Sequence, residues 1–342
     1  MYVPPRPDFR DDPNFPLRMA LLAAISVGAI PFLMPSMPPL MAALPIGLMA
    51  GMRKAFDPKR AIGGPLAFIV MIWLASGVLP VLMSWPVTFV IAVGSLYFVA
   101  FYLIQSTGNP MGMLILVSVG LVSILGMNSV VALDALRDSV VEAGILALVS
   151  IPVLYLLIPP ATQEKMIDEY KPAPGNHVRS ALIRAFVLLG LSFWLYSFID
   201  MSNMMMAIAA IFVLCFPTRE QLFAEARERI FATVLGASAA GAALFLMTLN
   251  AHFFMLVGLV FLTVLYFATM MMIGRHPPMV YQFSASAALS LIAGALTTQE
   301  PSYAALTRLA LTFGGTVVAA LLTATLESLF DARKRRSSQE LV

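Results

Sequence analysis

Four arginines are the residues of this chain best placed to do chemistry. Arg60 and Arg229 each stand at the start of a long apolar run, and Arg137 and Arg308 each lie seven residues before a glycine, Gly144 or Gly315. A guanidinium stays charged and grips a carboxylate through two parallel hydrogen bonds. At a helix start the partial positive charge of the unpaired N–H groups helps it hold an anion. The pattern predicts a site for organic anions. The competing role for Arg60 and Arg229 is anchoring, with each side chain snorkelling to the lipid headgroups. For Arg137 and Arg308 the competing role is a structural ion pair. Asp134, Asp138 and Glu142 surround Arg137; Asp134 shares its helix face at i, i+3, whereas the adjacent Asp138 does not. An acid inside an apolar run is a functional candidate, so Glu142 and Asp138 are the candidates for carrying a coupling proton. Glu142 fits equally as a partner in the same ion pair.

Tyr281 and Gln282 open one apolar run and His252 opens another. Each suits a substrate pathway, an interfacial anchor or an interhelical hydrogen bond. Met201, Met204, Met205 and Met206 invite a soft-metal reading, but plain packing or lipid contact explains them better, and no metal site is expected. The single cysteine, Cys215, cannot build a disulfide framework. His177, His252 and His276 form no zinc spacing. No nucleophile elbow, Walker loop or carboxylate pair is visible, so neither an enzyme nor a cofactor is expected.

The elements that must position these residues are membrane helices. Hydrophobic residues make up 60% of the 342 and charged ones 11%, against about 25% charged in soluble domains. The mean hydropathy is +0.89. Apolar segments fall at 18–34, 38–52, 61–83, 86–105, 110–127, 137–158, 181–199, 202–217, 229–248, 251–273, 278–297 and 304–329. None alternates as a barrel strand would. The expected fold is an all-α integral membrane protein of about twelve transmembrane helices. With the N-terminus in the cytoplasm, 19 of the 21 Lys and Arg residues fall on the inner side, as the positive-inside rule demands. Only Arg137 and Arg308 fall outside. The chain divides into a cytoplasmic segment 1–17, a first six-helix repeat 18–158, a linker 159–180, a second repeat 181–330 and a basic cytoplasmic tail 331–342. Landmarks recur between the halves at offsets of 166 (Arg18, Arg184), 169 (Arg60, Arg229), 167 (Asn109, His276) and 171 (Arg137, Arg308). Six is even, so the repeats are parallel, related by an axis along the membrane normal. The segments 38–52 and 202–217 are short, and 38–52 carries Pro38, Pro39, Pro45 and Gly47. Such segments at matching positions point to a binding site or to a tilted bundle in thinned lipid.

Arg229-Ile-Phe-Ala-Thr-Val-Leu-Gly236, an arginine running into a small-residue turn, and Arg308 followed by Gly315 resemble the signature of the fusaric-acid-resistance (FUSC) superfamily. The resemblance covers nearly the whole chain through short motifs. It implies an inner-membrane efflux transporter for organic anions, aromatic or amphipathic, coupled to protons. It implies a periplasmic membrane-fusion adaptor of the HlyD type as partner, and no nucleic acid. Larger exporters of the superfamily carry sizeable cytoplasmic domains, which this sequence replaces with the 159–180 linker and a short tail. Plant anion channels of the malate type are similar six-helix relatives that work as dimers, which suggests that the two halves form an internal dimer. A passive anion channel and a non-transporting scaffold for an adaptor remain as alternatives.

Overall fold

The computed structural model describes residues 12–109, 111–165, 172, 175–197, 211, 213–216, 219–249, 252–296 and 310–328. Among these residues the chain is all helix, with no strand. The helices are α1 (Phe15–Leu33), α2 (Pro38–Ala50), α3 (Pro58–Met83), α4 (Pro86–Thr107), α5 (Met111–Asn128), α6 (Val130–Leu157), α7 (His177–Ser197), α8 (Arg219–Leu249), α9 (Phe253–Ile273), α10 (Pro278–Ala295) and α11 (Ala310–Ser328). Seven of them are long and apolar enough to cross a membrane. Their outward faces carry large apolar side chains such as Trp73, Leu74, Val81, Phe186 and Phe245. An apolar surface of that extent needs lipid rather than water, and the protein is a multi-pass membrane protein. The expected segment 202–217 lies mostly outside the described residues, as do Met201, Met204, Met205 and Met206.

Local chemistry sets the helix ends. Proline opens α2, α3, α4 and α10, where its missing N–H costs nothing and its fixed φ suits the first turn. Asp57 caps α3 by accepting from the Lys59 N–H, and Ser129 caps α6 by accepting from the Ala132 N–H. His252, read from sequence as a pathway residue, an anchor or a hydrogen-bonder, caps α9 through a bond from the Phe254 N–H. Several helix starts precede the sequence expectation, α6 at Val130 rather than 137 among them. The α1 helix starts at Phe15 rather than 18, and α7 starts at His177, within the expected 159–180 linker.

The helix α2 is short. Its 13 residues rise about 20 Å, against a hydrocarbon core of about 30 Å. Non-helical backbone at membrane depth must be covered by protein and hydrogen-bonded, and that is the case here. The helices α1, α6 and α10 pack around α2. At its start the Met37 N–H donates to Ser139 Oγ at 2.9 Å. At its end the Ala50 carbonyl accepts from Arg53 Nε at 3.0 Å and the Gly51 carbonyl accepts from Arg60 Nη1 at 3.3 Å.

The buried core does not follow the two halves of the chain. One cluster joins α1, α2 and the end of α6 to α8, α9 and α10. A second joins α3, α4, α5 and the start of α6 to α7 and to Ile211, Leu214 and Cys215. The exchange is reciprocal. The helix α1, which opens the first half, packs on α9, the fourth segment of the second half; α7, which opens the second half, packs on α4. The helix α2 packs on α10, and Ile211 of the segment before α8 approaches α5 at Gly120.

Within the second half α8 packs closely onto α10, and Gly236 makes it possible. A Cβ at 236 would lie 2.5 Å from the Ser284 carbonyl, 2.8 Å from Ala287 Cβ and 3.2 Å from the Ala288 nitrogen. Two of those three neighbours are backbone and cannot move aside. Gly241, on the same helix, meets nothing within 4 Å. Gly236→Ala is therefore expected to destabilise the detergent-solubilised protein by about 1–3 kcal/mol, whereas Gly241→Ala should be neutral or stabilise by up to about 1 kcal/mol. Thermal unfolding of the two variants side by side checks this; equal melting temperatures would show that the crossing is not tight.

Candidate anion site

Arginines cluster at the end of the bundle where α1, α3, α7 and α8 begin. Arg18 is fully buried in the first turn of α1. It pairs with Asp12 and donates to the Ile158 carbonyl at 3.1 Å, just past the end of α6. Its guanidinium lies 4.2 Å from the centroid of the Tyr155 ring. The Tyr155 hydroxyl in turn donates to the Met52 carbonyl at 2.6 Å. Arg184, the eighth residue of α7, is also fully buried. It donates to Ser180, to Glu327 Oε1 at 3.0 Å and to the Phe216 carbonyl at 3.0 Å. These two arginines served in the sequence only as landmarks of repetition. In the structure each ties the first helix of a half to that half's last helix.

Arg60 and Arg229, the first predicted pair, are not equivalent. Arg60 is the third residue of α3, as expected of a residue at a helix start. It leans toward Asp57 at 3.5 Å, with 27% of its side chain exposed, and caps the last carbonyl of α2. Arg229 departs from expectation. The helix α8 begins at Arg219, so Arg229 is its eleventh residue, not its first. A helix N-terminus acts only within its first turn, so it adds nothing at Arg229. The boundary was misread because Arg219, Glu220, Glu225, Arg227 and Glu228 lower the hydropathy of 219–229. Those residues are nevertheless good helix formers.

Arg229 is 6% exposed. Glu225, one turn earlier on α8, accepts from its Nε at 3.2 Å and its Nη2 at 2.9 Å. The guanidinium carbon lies 3.5 Å from the centroid of the Phe283 ring on α10. Two residues away on α10 is Tyr281, buried against Gly274. Its hydroxyl accepts from the His276 N–H at 3.4 Å. The His276 ring is 6.1 Å from Tyr281 and 4.8 Å from Phe231 of α8. The structure brings Arg229 together with Glu225 and Phe283, and Tyr281 together with His276 and, through it, Phe231. Residues two apart on one helix point to different faces, so these are two sets, and Glu225, Phe231, His276 and Phe283 were not predicted. The Glu225–Arg229 spacing of four was legible. The contact with Phe283 was not, because it depends on how α8 crosses α10.

Arg137, Asp138 and Glu142 lie apart from this cluster. Arg137 sits over Trp73 of α3, 5.1 Å from the ring centroid, about 20 Å along α3 from Arg60 at 1.5 Å per residue. Its Nη2 is 3.1 Å from Asp134, as the i, i+3 spacing predicts, and its Nε is 3.5 Å from Asp138. The second contact corrects the expectation that adjacent residues cannot meet. On an exposed helix surface the long arginine stem folds back far enough to reach its neighbour. Glu142 is half-buried, with one carboxylate oxygen shielded and without a hydrogen-bond partner among the described residues. Arg308, the predicted repeat partner of Arg137, lies outside the described residues. No group of three or more metal-ligating side chains occurs among the described residues.

A planar cation buried flat against an aromatic ring, with one carboxylate on its edge, can exchange that carboxylate for another of similar shape. Arg18, Arg60 and Arg184 also pair with carboxylates, Asp12, Asp57 and Glu327, and each donates in addition to a main-chain carbonyl that cannot leave. A family model described as fusaric acid resistance protein-like matches residues 191–322, a stretch that includes Arg229, His276, Tyr281 and Phe283. No curated protein and no solved structure matches the chain.

The contrast between the arginines predicts a difference in stability. Breaking a buried pair by removing one partner costs about 3–5 kcal/mol, whereas a partly exposed pair contributes about 0–1 kcal/mol. Arg18→Met should therefore lower the unfolding free energy by several-fold more than Arg60→Met. Denaturation in detergent followed by circular dichroism measures both, and comparable losses would contradict the assignment of Arg18 as the structural tie.

Proposed function

We propose that the chain is a membrane efflux protein that exports organic anions, aromatic or amphipathic, and that Arg229 receives them; the match of residues 191–322 to the fusaric acid resistance protein-like family model supports the efflux reading. The observation that carries this reading is the buried Arg229 guanidinium lying on the Phe283 ring with Glu225 on its edge. An arriving carboxylate takes the place of Glu225, and an aromatic substrate finds Phe283 beside it. Charge-assisted hydrogen bonds of this kind contribute about 1.5–3 kcal/mol. Glu225 cannot stay charged and unpaired in a buried site without a cost of several kcal/mol, so it swings toward water as the substrate binds.

Direction and energy follow from the charge. In a bacterial inner membrane that is negative inside, an outgoing anion gains about 2.3 kcal/mol per 100 mV. Coupling to protons adds to this, and Glu142 and Asp138, set apart from Arg229, are the groups proposed to carry them. The two halves are proposed to be parallel six-helix repeats. The reciprocal packing of α1 on α9 and of α7 on α4 supports that arrangement. Both termini are proposed to be cytoplasmic, on the distribution of basic residues, and a periplasmic adaptor of the HlyD type is the proposed acceptor of substrate.

Uptake of labelled benzoate into inverted membrane vesicles tests the site. The double substitution Glu225→Gln with Arg229→Gln removes both charges together and leaves neither one unpaired. It should lower uptake at least about tenfold, the factor that 1.4 kcal/mol represents. Arg60→Gln should leave uptake within about twofold, as expected of a partly exposed pair contributing under about 1 kcal/mol. Uptake untouched by the double substitution removes Arg229 as the site. Uptake indifferent to collapse of the proton gradient removes the coupling. Large ohmic anion currents in a planar bilayer make the protein a channel.

A further inference from the structure

The two halves of the chain are joined where α7 packs on α4 and where α1 packs on α9. The first of these joints is held by hydroxyl groups. The Tyr97 side chain of α4 is fully buried, and its hydroxyl lies 3.1 Å from Ser192 Oγ of α7 and 3.4 Å from Ser123 Oγ of α5. Ser192 Oγ donates to the Leu188 carbonyl at 2.8 Å, and Ser123 Oγ donates to the Gly120 carbonyl at 3.1 Å. Both serine protons are thus engaged within their own helices, and the phenol, with one proton and an acceptor on either side, ties three helices together. The surrounding cluster is apolar, so no water competes for that proton.

The second joint carries the matching serines without the tyrosine. Ser192 lies 166 residues after Ser26 of α1, the interval that separates Arg18 from Arg184. Val264 of α9 and Ser290 of α10 lie 167 residues after Tyr97 and Ser123. Ser26 is fully buried, and its hydroxyl has no hydrogen-bond partner among the described residues. Ser290 donates to the Ser286 and Ala287 carbonyls of its own helix. Val264 is fully buried and has no polar side-chain atom to offer. Packing differs in the same sense. A Cβ on Gly94 of α4 would come within 3.3 Å of Leu189 of α7, whereas one on Gly28 of α1 would stay 3.8 Å from Val257 of α9. A Cβ on Gly120 of α5 would meet Ile211 at 2.7 Å, whereas one on Gly294 of α10 would lie 3.7 Å from Pro39 of α2.

We propose that the α4/α7 contact is the fixed joint between the halves and the α1/α9 contact the sliding one, so that the halves move about Tyr97 and its serines. An apolar joint repacks in small steps, whereas the phenol can shift only by breaking a hydrogen bond. The motion reaches the anion site by a short route. The helix α9 ends at Ile273, α10 begins at Pro278, and Phe283 stands on the second turn of α10. This rests on the transport reading and adds to it the part of the protein that moves.

Pulsed electron paramagnetic resonance compares the joints, using the full-length protein in nanodiscs with its single cysteine, Cys215, replaced by serine. Nitroxide pairs are placed at exposed positions on adjoining helix ends. Labels at Leu17 of α1 and Ile273 of α9 should give a broad or two-component distance distribution. Labels at Thr107 of α4 and Val178 of α7 should give one narrow component, which Tyr97→Phe broadens. Equal widths, or a broader distribution at the α4/α7 joint, overturn the proposal. Cross-linking relates the motion to transport. A methanediyl bismethanethiosulfonate bridge between Gly28→Cys and Val257→Cys should lower benzoate uptake at least about tenfold, with recovery on reduction, because it stops a closure step. A bridge between Gly94→Cys and Leu189→Cys should leave uptake within about twofold, because that joint does not move in the cycle. Uptake that survives the first bridge, or falls equally with both, overturns the proposal. If the reduced proteins take up no benzoate while the label distances differ as predicted, the sliding joint stands and the transport reading fails.

Discussion

Inside a bilayer no water is available to a peptide group or a charge, so every polar atom carried there must find its partner within the protein. In this chain the constraint is sharpest around α2, a helix too short to cross lipid by itself. Its ends are completed by side chains from elsewhere: Ser139 at the start, Arg53 and Arg60 at the finish. The same requirement shapes the ends of α6 and of the segment before α8, whose carbonyls are taken by Arg18 and Arg184. The reciprocal packing of the two halves follows naturally. A short, buried helix needs neighbours on all sides, and α10 of the other half supplies one of them.

That constraint sorts the arginines by what they are able to do. All four arginines pair with a carboxylate: Asp12, Asp57, Glu327 and Glu225. Arg18, Arg60 and Arg184 also donate to main-chain carbonyls, which are fixed and neutral, and Arg229 packs on Phe283. A carboxylate partner is interchangeable with a carboxylate ligand, and a helix-end carbonyl is not. The sequence offsets alone could not reveal these partners.

Much of the fold was legible in the sequence, because lipid solvation writes itself into long apolar runs. Eleven of the segments read from hydropathy correspond to helices among the described residues. The start of α8 was not legible. Its first ten residues are charged enough to look like a loop, yet good helix formers all the same. The candidate site was legible by residue and not by partner. Arg229 and Tyr281 could be singled out from type and position. Phe283 under the guanidinium depends on the crossing of α8 and α10 at Gly236, which no local pattern specifies. Arg18 and Arg184 could be read only as landmarks; in the structure each is buried and joins its helix to a later one, Arg18 to the end of α6 and Arg184 to α11.

The central claim, that Arg229 recognises organic anions through charge and shape together, is tested most directly by isothermal titration of benzoate into the purified protein and its Arg229→Lys variant. Lysine keeps the charge and the pairing with Glu225 but loses the planar fork and the stacking on Phe283. The account predicts that Arg229→Lys weakens benzoate binding by about tenfold or more, the factor that 1.4 kcal/mol represents, with the melting temperature little changed. Benzoate affinity equal in the two proteins would contradict it.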